Sequence, residues 1–288
     1  MAEKKSILIP TDFSEVCDNA VNHGCDLANH FKYKVYILHV ITKETNKFLK
    51  ENNESIEKLE EKLMIYAKEK SKEFGVEVLP VLKEGSIFET IGNTAKELNV
   101  NFVILGTHGK IGFQRLTGSY ALKVINNTDV PTIVVQKKKY TGGYRNIVFP
   151  VTPITDDRQK VKLAIAIGKI FDAKIHIFPK EENDKIWQRK MNVIIKQIKD
   201  SFKAHGIRYV VADPSKWAGN FSKQVIDYSV VNEADLIMII TNAELTLPMF
   251  DTWDEQIIFN SSQIPVMCIN PARVKKSFFA FGSSWTPF

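Results

Sequence analysis

Short apolar runs alternate with amphipathic stretches along the whole chain, which predicts repeated βα units around a parallel sheet. Residues 6–10 (Ser-Ile-Leu-Ile-Pro) read as a first strand. A helix that Ser14 can cap follows to about Phe31, with Ala20, Leu27, Ala28 and Phe31 on its inner side. Residues 34–41 form a second strand. A long helix over about 52–74 then turns Ile56, Leu59, Leu63, Tyr66, Ala67 and Phe74 inward and stops at Gly75, a natural left-handed cap. Strand 76–82, helix 87–98, strand 101–105, a Gly-rich loop, helix 119–126 and strand 132–135 complete the pattern. The polar, Gly-bearing stretch 136–144 reads as a linker.

Beyond the linker the pattern begins again. Arg145-Asn-Ile-Val-Phe-Pro150 repeats Lys5-Ser-Ile-Leu-Ile-Pro10 at an offset of 140, which also lays Phe171 on Phe31 and Lys174 on Lys34. Near the end, Gln263-Ile-Pro265-Val-Met repeats Asp129-Val-Pro131-Thr-Ile at an offset of 134, and Asp235–Ile239 falls on Asn101–Leu105. The expected architecture is α/β: two tandem, doubly wound, open parallel sheets. They span residues 1–138 and 145–273, followed by an aromatic tail, 274–288, with Phe278, Phe279, Phe281, Trp285 and Phe288. That tail is expected to pack on the body or on a partner chain.

Composition narrows the classes. A chain of 288 residues suits two domains, each large enough to bury a core. The net charge of +6 is spread through interleaved Lys and Glu, as in Glu57-Lys58-Leu59-Glu60-Glu61-Lys62, so it reads as solvated helix faces rather than a nucleic-acid surface. Cys17, Cys25 and Cys268 form no CxxC pair and fit a reducing compartment. No stretch approaches the ~18 apolar residues of a membrane span. Without an apolar leader, the expected location is the cytoplasm.

The chemistry concentrates at strand ends. Gly106-Thr-His108-Gly109-Lys110, running on to Gly118-Ser119, follows an apolar strand and opens a helix. Glycines there admit close approach of a ligand, and a helix start offers N–H groups to an anion, with Lys110 and Arg115 nearby. A phosphate cradle is one reading; a bare strand-to-helix turn is the other. The spacing is neither a Walker A loop nor the dinucleotide fingerprint. At the end of the first strand, Pro10-Thr11-Asp12-Phe13-Ser14 puts a carboxylate at the switch point of such a sheet, where Asp12 can accept from a ribose or adenine edge or serve as a helix cap. Backbone groups of Val40, ending the second strand, come to the same rim. His23, His30 and His39 lack metal-ligand spacing, and no Gly-x-Ser-x-Gly elbow is present.

On these residues the chain resembles the universal stress protein family in a tandem two-domain form: Pro10–Ser14, Leu38-His39-Val40, Gly106-Thr-His-Gly109, Gly118-Ser119 and Val130-Pro131-Thr-Ile-Val-Val135. The resemblance is clear over 4–138 and weak over 145–271. It implies the adenine nucleotide α-hydrolase-like fold with strand order 3-2-1-4-5, and a module of the stress response that binds ATP or AMP, with Mg²⁺ carried by the phosphates, without catalysing a reaction. Pro10, Thr11, Asp12 and Val40 would lie by adenine and ribose; Gly106, His108, Gly109, Gly118 and Ser119 would lie by the phosphates. It further implies a pseudo-dimer of the two halves through their fifth strands, and a capacity for homo-oligomers. The loop departs from the family's ATP-binding pattern: eight residues, 110–117, separate Gly109 from Gly118, one fewer than usual. The first strand is not followed by the His-x-Gly-His or Ser-Gly-Gly-x-Asp-Ser loops of related adenylyl-transfer enzymes.

The second copy departs further. By the offsets above, Asp12 becomes Thr152, Val40 becomes Lys180, Gly106 becomes Ile240, Gly109 becomes Ala243, Gly118 becomes Thr252 and Ser119 becomes Trp253. Nucleotide is therefore expected in the first half only. The alternative is a nucleotide-free interaction or chaperone-like scaffold. A slow ATPase ranks third, with Asp12 as its one nameable base.

Overall fold

The computed structural model describes residues 5–107, 118–139, 142–153, 157–241 and 252–270. They fall into two compact units that divide between Gly142 and Gly143.

The first unit runs β1 (Ser6–Pro10), α1 (Glu15–Phe31), β2 (Lys34–Ile41), α2 (Lys43–Glu51), α3 (Ile56–Phe74), β3 (Val78–Glu84), α4 (Ile87–Glu97), β4 (Phe102–Gly106), α5 (Gly118–Asn127) and β5 (Thr132–Val135). Its strands are parallel in the order β3-β2-β1-β4-β5, as the resemblance implies. Strands covered on both faces must be apolar throughout, and Ile7, Leu8, Ile9, Val103 and Ile104 are fully buried. Each such side chain contributes roughly 1.5–3 kcal/mol of burial.

Local chemistry sets the helix limits. Gly75 ends α3 at φ 67°, where a Cβ would be strained. The segment expected as one helix over 52–74 is preceded by a separate helix. Thr42 caps α2 by accepting from the Thr45 amide at 3.2 Å, and Ser55 starts α3 anew. Ile56, expected inward, is 41% exposed, whereas Leu63 and Ala67 face the sheet. Lys70 joins them in the interior, its ammonium 3.0 Å from Asp18 on α1.

The second unit runs β6 (Asn146–Val151), a 3₁₀ turn (Asp157–Lys160), α6 (Val161–Phe171), β7 (Lys174–Pro179), α7 (Lys185–Ala204), β8 (Arg208–Val211), α8 (Phe221–Val231), β9 (Leu236–Ile240), α9 (Trp253–Ile258) and β10 (Val266–Ile269). Its parallel order, β8-β7-β6-β9-β10, is that of the first unit.

The repeat extends to backbone detail. Lys32 and Asp172, 140 residues apart, both end a helix in the left-handed region, at φ 58° and 47°. Asn99 and Glu233, 134 apart, do so at 47° and 49°. The residue before the fourth strand of each unit also caps the start of the first. Asn101 accepts from the Ser6 amide at 3.0 Å, and Asp235 accepts from the Arg145 and Asn146 amides at 2.7 and 2.9 Å. Among the described residues, no helix is long and apolar enough to cross a membrane.

Candidate functional site

In a parallel strand the amide and carbonyl of each residue point to one neighbour, and alternate residues serve opposite neighbours. In β1 the odd residues face β2 and the even ones face β4: Lys5 C=O accepts from Lys34, and Ser6 C=O accepts from Asn101. Pro10 and Asp12 therefore turn backbone groups toward the crevice between β1 and β4, where the strand order reverses. Thr11 turns the other way, its amide donating to Leu38 C=O at 2.8 Å.

The carbonyl of Thr11 would be the natural partner for the Val40 amide, because even residues of β2 face β1. Instead it accepts from His39 Nδ1 at 2.8 Å. Val40 thus carries its amide and carbonyl past the end of β1 to the rim. His39 does more there. Its ring stacks on Phe13 at 5.2 Å, and Phe13 sits at φ 62°, an uncommon conformation for a large side chain. Lys62 of α3 also lies over the Phe13 ring, 4.3 Å from its centre. The His39 side chain thus holds the turn that carries Asp12, a role that its place in the sequence does not reveal.

Asp12 accepts from the Ser14 amide at 2.9 Å, closing the turn before α1. Ser14 is the residue before the helix, but its side chain makes no cap bond. Asp12 thus closes the turn two residues ahead of the cap position, which Ser14 holds, and its carboxylate stands at the switch point. Burial pushes this carboxyl up; hydrogen bonding, from Ser14 first and then from Cys17 and Asp12's own amide, outweighs that and leaves it below the ordinary carboxylate value. It is ionised at neutral pH.

Two clefts of about 580 Å³ each open at this end of the sheet, a size suited to a small ligand. One is lined by Asp12, Phe13, His39, Leu49, Lys58 and Lys62. The other is lined by Ile41, Thr42, Glu84, Gly85, Ser86 and Ile87.

Pro10, Thr11, Asp12, Val40 and Gly106 therefore come together at the carboxyl ends of β1, β2 and β4. Gly106 also has a packing role. A Cβ there would lie 2.4 Å from the Val16 carbonyl oxygen and 3.0 Å from the Cys17 amide, so α1 can cross β4 only over a glycine. Gly118 is the first residue of α5. His108, Gly109, Lys110 and Arg115 lie outside the described residues, as does the side chain of Ser119. Among the described residues, no group of three or more His, Cys, Asp or Glu could hold a metal ion.

The same rim in the second unit is bonded differently. Lys180, in the place of Val40, donates its amide to Val151 C=O at 2.8 Å, the bond that Val40 forgoes. Ile240, in the place of Gly106, is buried. Trp253 packs on Phe221, ring centres 5.3 Å apart. Ala243 lies outside the described residues, as does the aromatic tail.

The universal stress protein family model matches residues 4–136, the first unit. Universal stress protein MJ0531 of Methanocaldococcus jannaschii is 30% identical over 149 residues, a match spanning 47% of this chain and 84% of that protein. MJ0577 of the same organism is 30% identical over 155 residues, spanning 46% and 96%. The crystal structure of a universal stress protein from Archaeoglobus fulgidus superposes with a TM-score of 0.74 at 18% identity, covering 92% of this chain and 98% of that one, a likeness of fold. With the site's geometry and these relatives together, the chain belongs to the universal stress protein family.

Proposed function

We propose that this chain is a non-catalytic adenine nucleotide-binding module of the stress response, holding ATP or AMP in its first half, residues 1–138. The observation that carries the reading is the open backbone of Val40 beside the Asp12 carboxylate. The amide and carbonyl offer the donor and acceptor pair that an adenine edge needs, and the carboxylate suits a ribose hydroxyl. The start of α5 at Gly118 would supply N–H groups and a positive dipole end for phosphates, and the family resemblance assigns His108, Gly109 and Ser119 to the same phosphates. Mg²⁺ would arrive on those phosphates. This family membership supports the reading, and the family match over residues 4–136 falls on the half proposed to hold the nucleotide.

A nucleotide-free interaction scaffold is the second reading, favoured by the shortened loop 110–117. Pairing of the two halves through their fifth strands, homo-oligomers and a cytoplasmic location belong to the proposal on the strength of the family resemblance. Mass spectrometry of the denatured, freshly purified protein separates the two readings. Stoichiometric AMP or ATP supports the module; its absence, together with no heat on titration with either nucleotide, supports the scaffold.

A further inference from the structure

The second half carries an ion pair whose equivalent positions in the first, Cys17 and Ala20, are uncharged. Lys160 Nζ stands 2.8 Å from Asp157 Oδ1, and both side chains are withdrawn from solvent, at 0% and 1% exposure. Isolated charges are not buried without compensation, so their other partners matter. Lys160 also donates to the carbonyl of Pro150 and lies 4.3 Å from the centre of the Phe149 ring. The second oxygen of Asp157 accepts from the Thr152 amide at 2.6 Å.

Strand alternation says where these partners point. In β6 the odd residues serve β7: Arg145 C=O accepts from Lys174, and Val151 C=O from Lys180. Asn146 C=O accepts from Asp235, before β9, so the even residues face β9. Pro150 C=O and Thr152 N–H therefore open into the crevice between β6 and β9. They correspond to Pro10 and Asp12, the groups that face the switch point in the first half. The ammonium and the carboxylate fill that crevice and take both groups.

The corresponding positions of the first half are Cys17 and Ala20, which carry no charge into the crevice. The exchange is coupled to Ile240. Where Gly106 lets the first turn of α1 lie directly on β4, a buried isoleucine in its place excludes that approach. The chain forms a 3₁₀ turn instead, Asp157–Lys160, and α6 begins only at Val161. That turn brings Asp157 and Lys160 to the crevice.

We propose that Asp157 and Lys160 are specificity-determining residues that close the second half's crevice with the chain's own ion pair and so restrict the protein to one nucleoside site. The second half is then shut by an internal occupant, beyond merely lacking glycines. This rests on the reading that the first half binds nucleotide, and the test keeps the two apart.

Adenosine is the probe, because it needs no phosphate cradle, and amide exchange locates it. The full chain is compared with two double variants that each remove both charges: Asp157→Ala with Lys160→Ala, which empties the crevice, and Asp157→Leu with Lys160→Met, which refills it with apolar atoms. In the native chain and the refilled variant, adenosine leaves the exchange of the Thr152 and Lys180 amides unchanged. In the emptied variant it slows the Thr152 amide, which has lost Asp157, on the order of tenfold or more. Slowing at these amides in the native chain, or none in the folded emptied variant, overturns the inference. The Thr11 and Val40 amides report the first half separately, so failure there counts against the nucleotide reading alone. Should the emptied variant not fold, acetylation of the native chain decides. Lys160 should react on the order of 100-fold more slowly than exposed Lys162, as expected when reaction needs local opening; equal rates would show that it does not fill the crevice.

Discussion

Each half carries a proline at or one residue before the end of its first strand, Pro10 or Pro150, and what lies beyond differs in the partners of a few backbone groups. In the first half the His39 side chain takes the Thr11 carbonyl, and Val40 is left facing the rim beside a carboxylate. In the second, Val151 C=O takes the amide of Lys180, and Asp157 and Lys160 take Thr152 N–H and Pro150 C=O. One fold thus supplies a rim with open backbone groups at Val40 and a rim whose corresponding groups are satisfied from within. A buried rim without a ligand must find partners for its polar groups within the chain, and the second half does so.

The largest expected effect is at the ion pair. Lys160→Ala or Asp157→Ala alone leaves one buried charge without its partner, and each should cost about 3–5 kcal/mol of stability. The refilled double variant should lie well above either single variant. Urea unfolding of the three proteins measures this, and equal losses in all three would deny that the charges are coupled.

Acid should separate the halves by histidine. Burial pushes His23 down to about 3, and burial with Lys174 nearby pushes His176 down to about 4. Between these values and about 6.5 the unfolded chain binds a proton that the folded chain refuses, so stability is full above pH 6.5 and falls as pH drops. The slope reaches about 1.4 kcal/mol per unit for each group. His23→Leu should flatten the dependence down to about pH 3, reaching below the window of His176. An unchanged slope in unfolding measured from pH 7 to 4 would contradict the assignment.

Gly106→Ala tests the packing contrast. With Val16 C=O 2.4 Å from the new Cβ, α1 must shift, at roughly 1–3 kcal/mol. Thermal unfolding reads this, and an unchanged midpoint would remove the reason for a glycine there. The smallest effect is expected of His39→Phe, which keeps a ring against Phe13 and loses the bond to Thr11. Nucleotide affinity should drop by about 0.5–1.5 kcal/mol as Thr11 C=O becomes available to Val40. Titration calorimetry compares it with the native chain, and tighter binding would show that His39 does not hold the rim open.

Much of this contrast was legible in the sequence. Strand and helix periods marked the repeat, and the offsets of 140 and 134 held down to the left-handed residues at 32, 172, 99 and 233. Helix α2 escaped because it is polar and buries only Thr45 and Leu49, too few positions for a periodic stripe. The burial of Lys70 and Lys160 escaped for another reason. Their partners include groups on other elements, Asp18 on α1 for the one and Pro150 on β6 for the other, which the periodicity of a single helix does not carry. The candidate rim residues were readable as types at strand ends. Which of their backbone groups remain open depends on strand alternation and on one histidine, and that required the fold.

Calorimetric titration of ATP with Mg²⁺, and of AMP, tests the central claim most directly. The native chain should bind one nucleotide. Gly118→Val, which places a branched side chain at the start of α5, should abolish that binding, and Asp12→Ala should weaken it by roughly 1–3 kcal/mol. Substituting Thr252 or Trp253 in the second half should leave it unchanged. Two nucleotides per chain, or full affinity in Gly118→Val, would contradict the account.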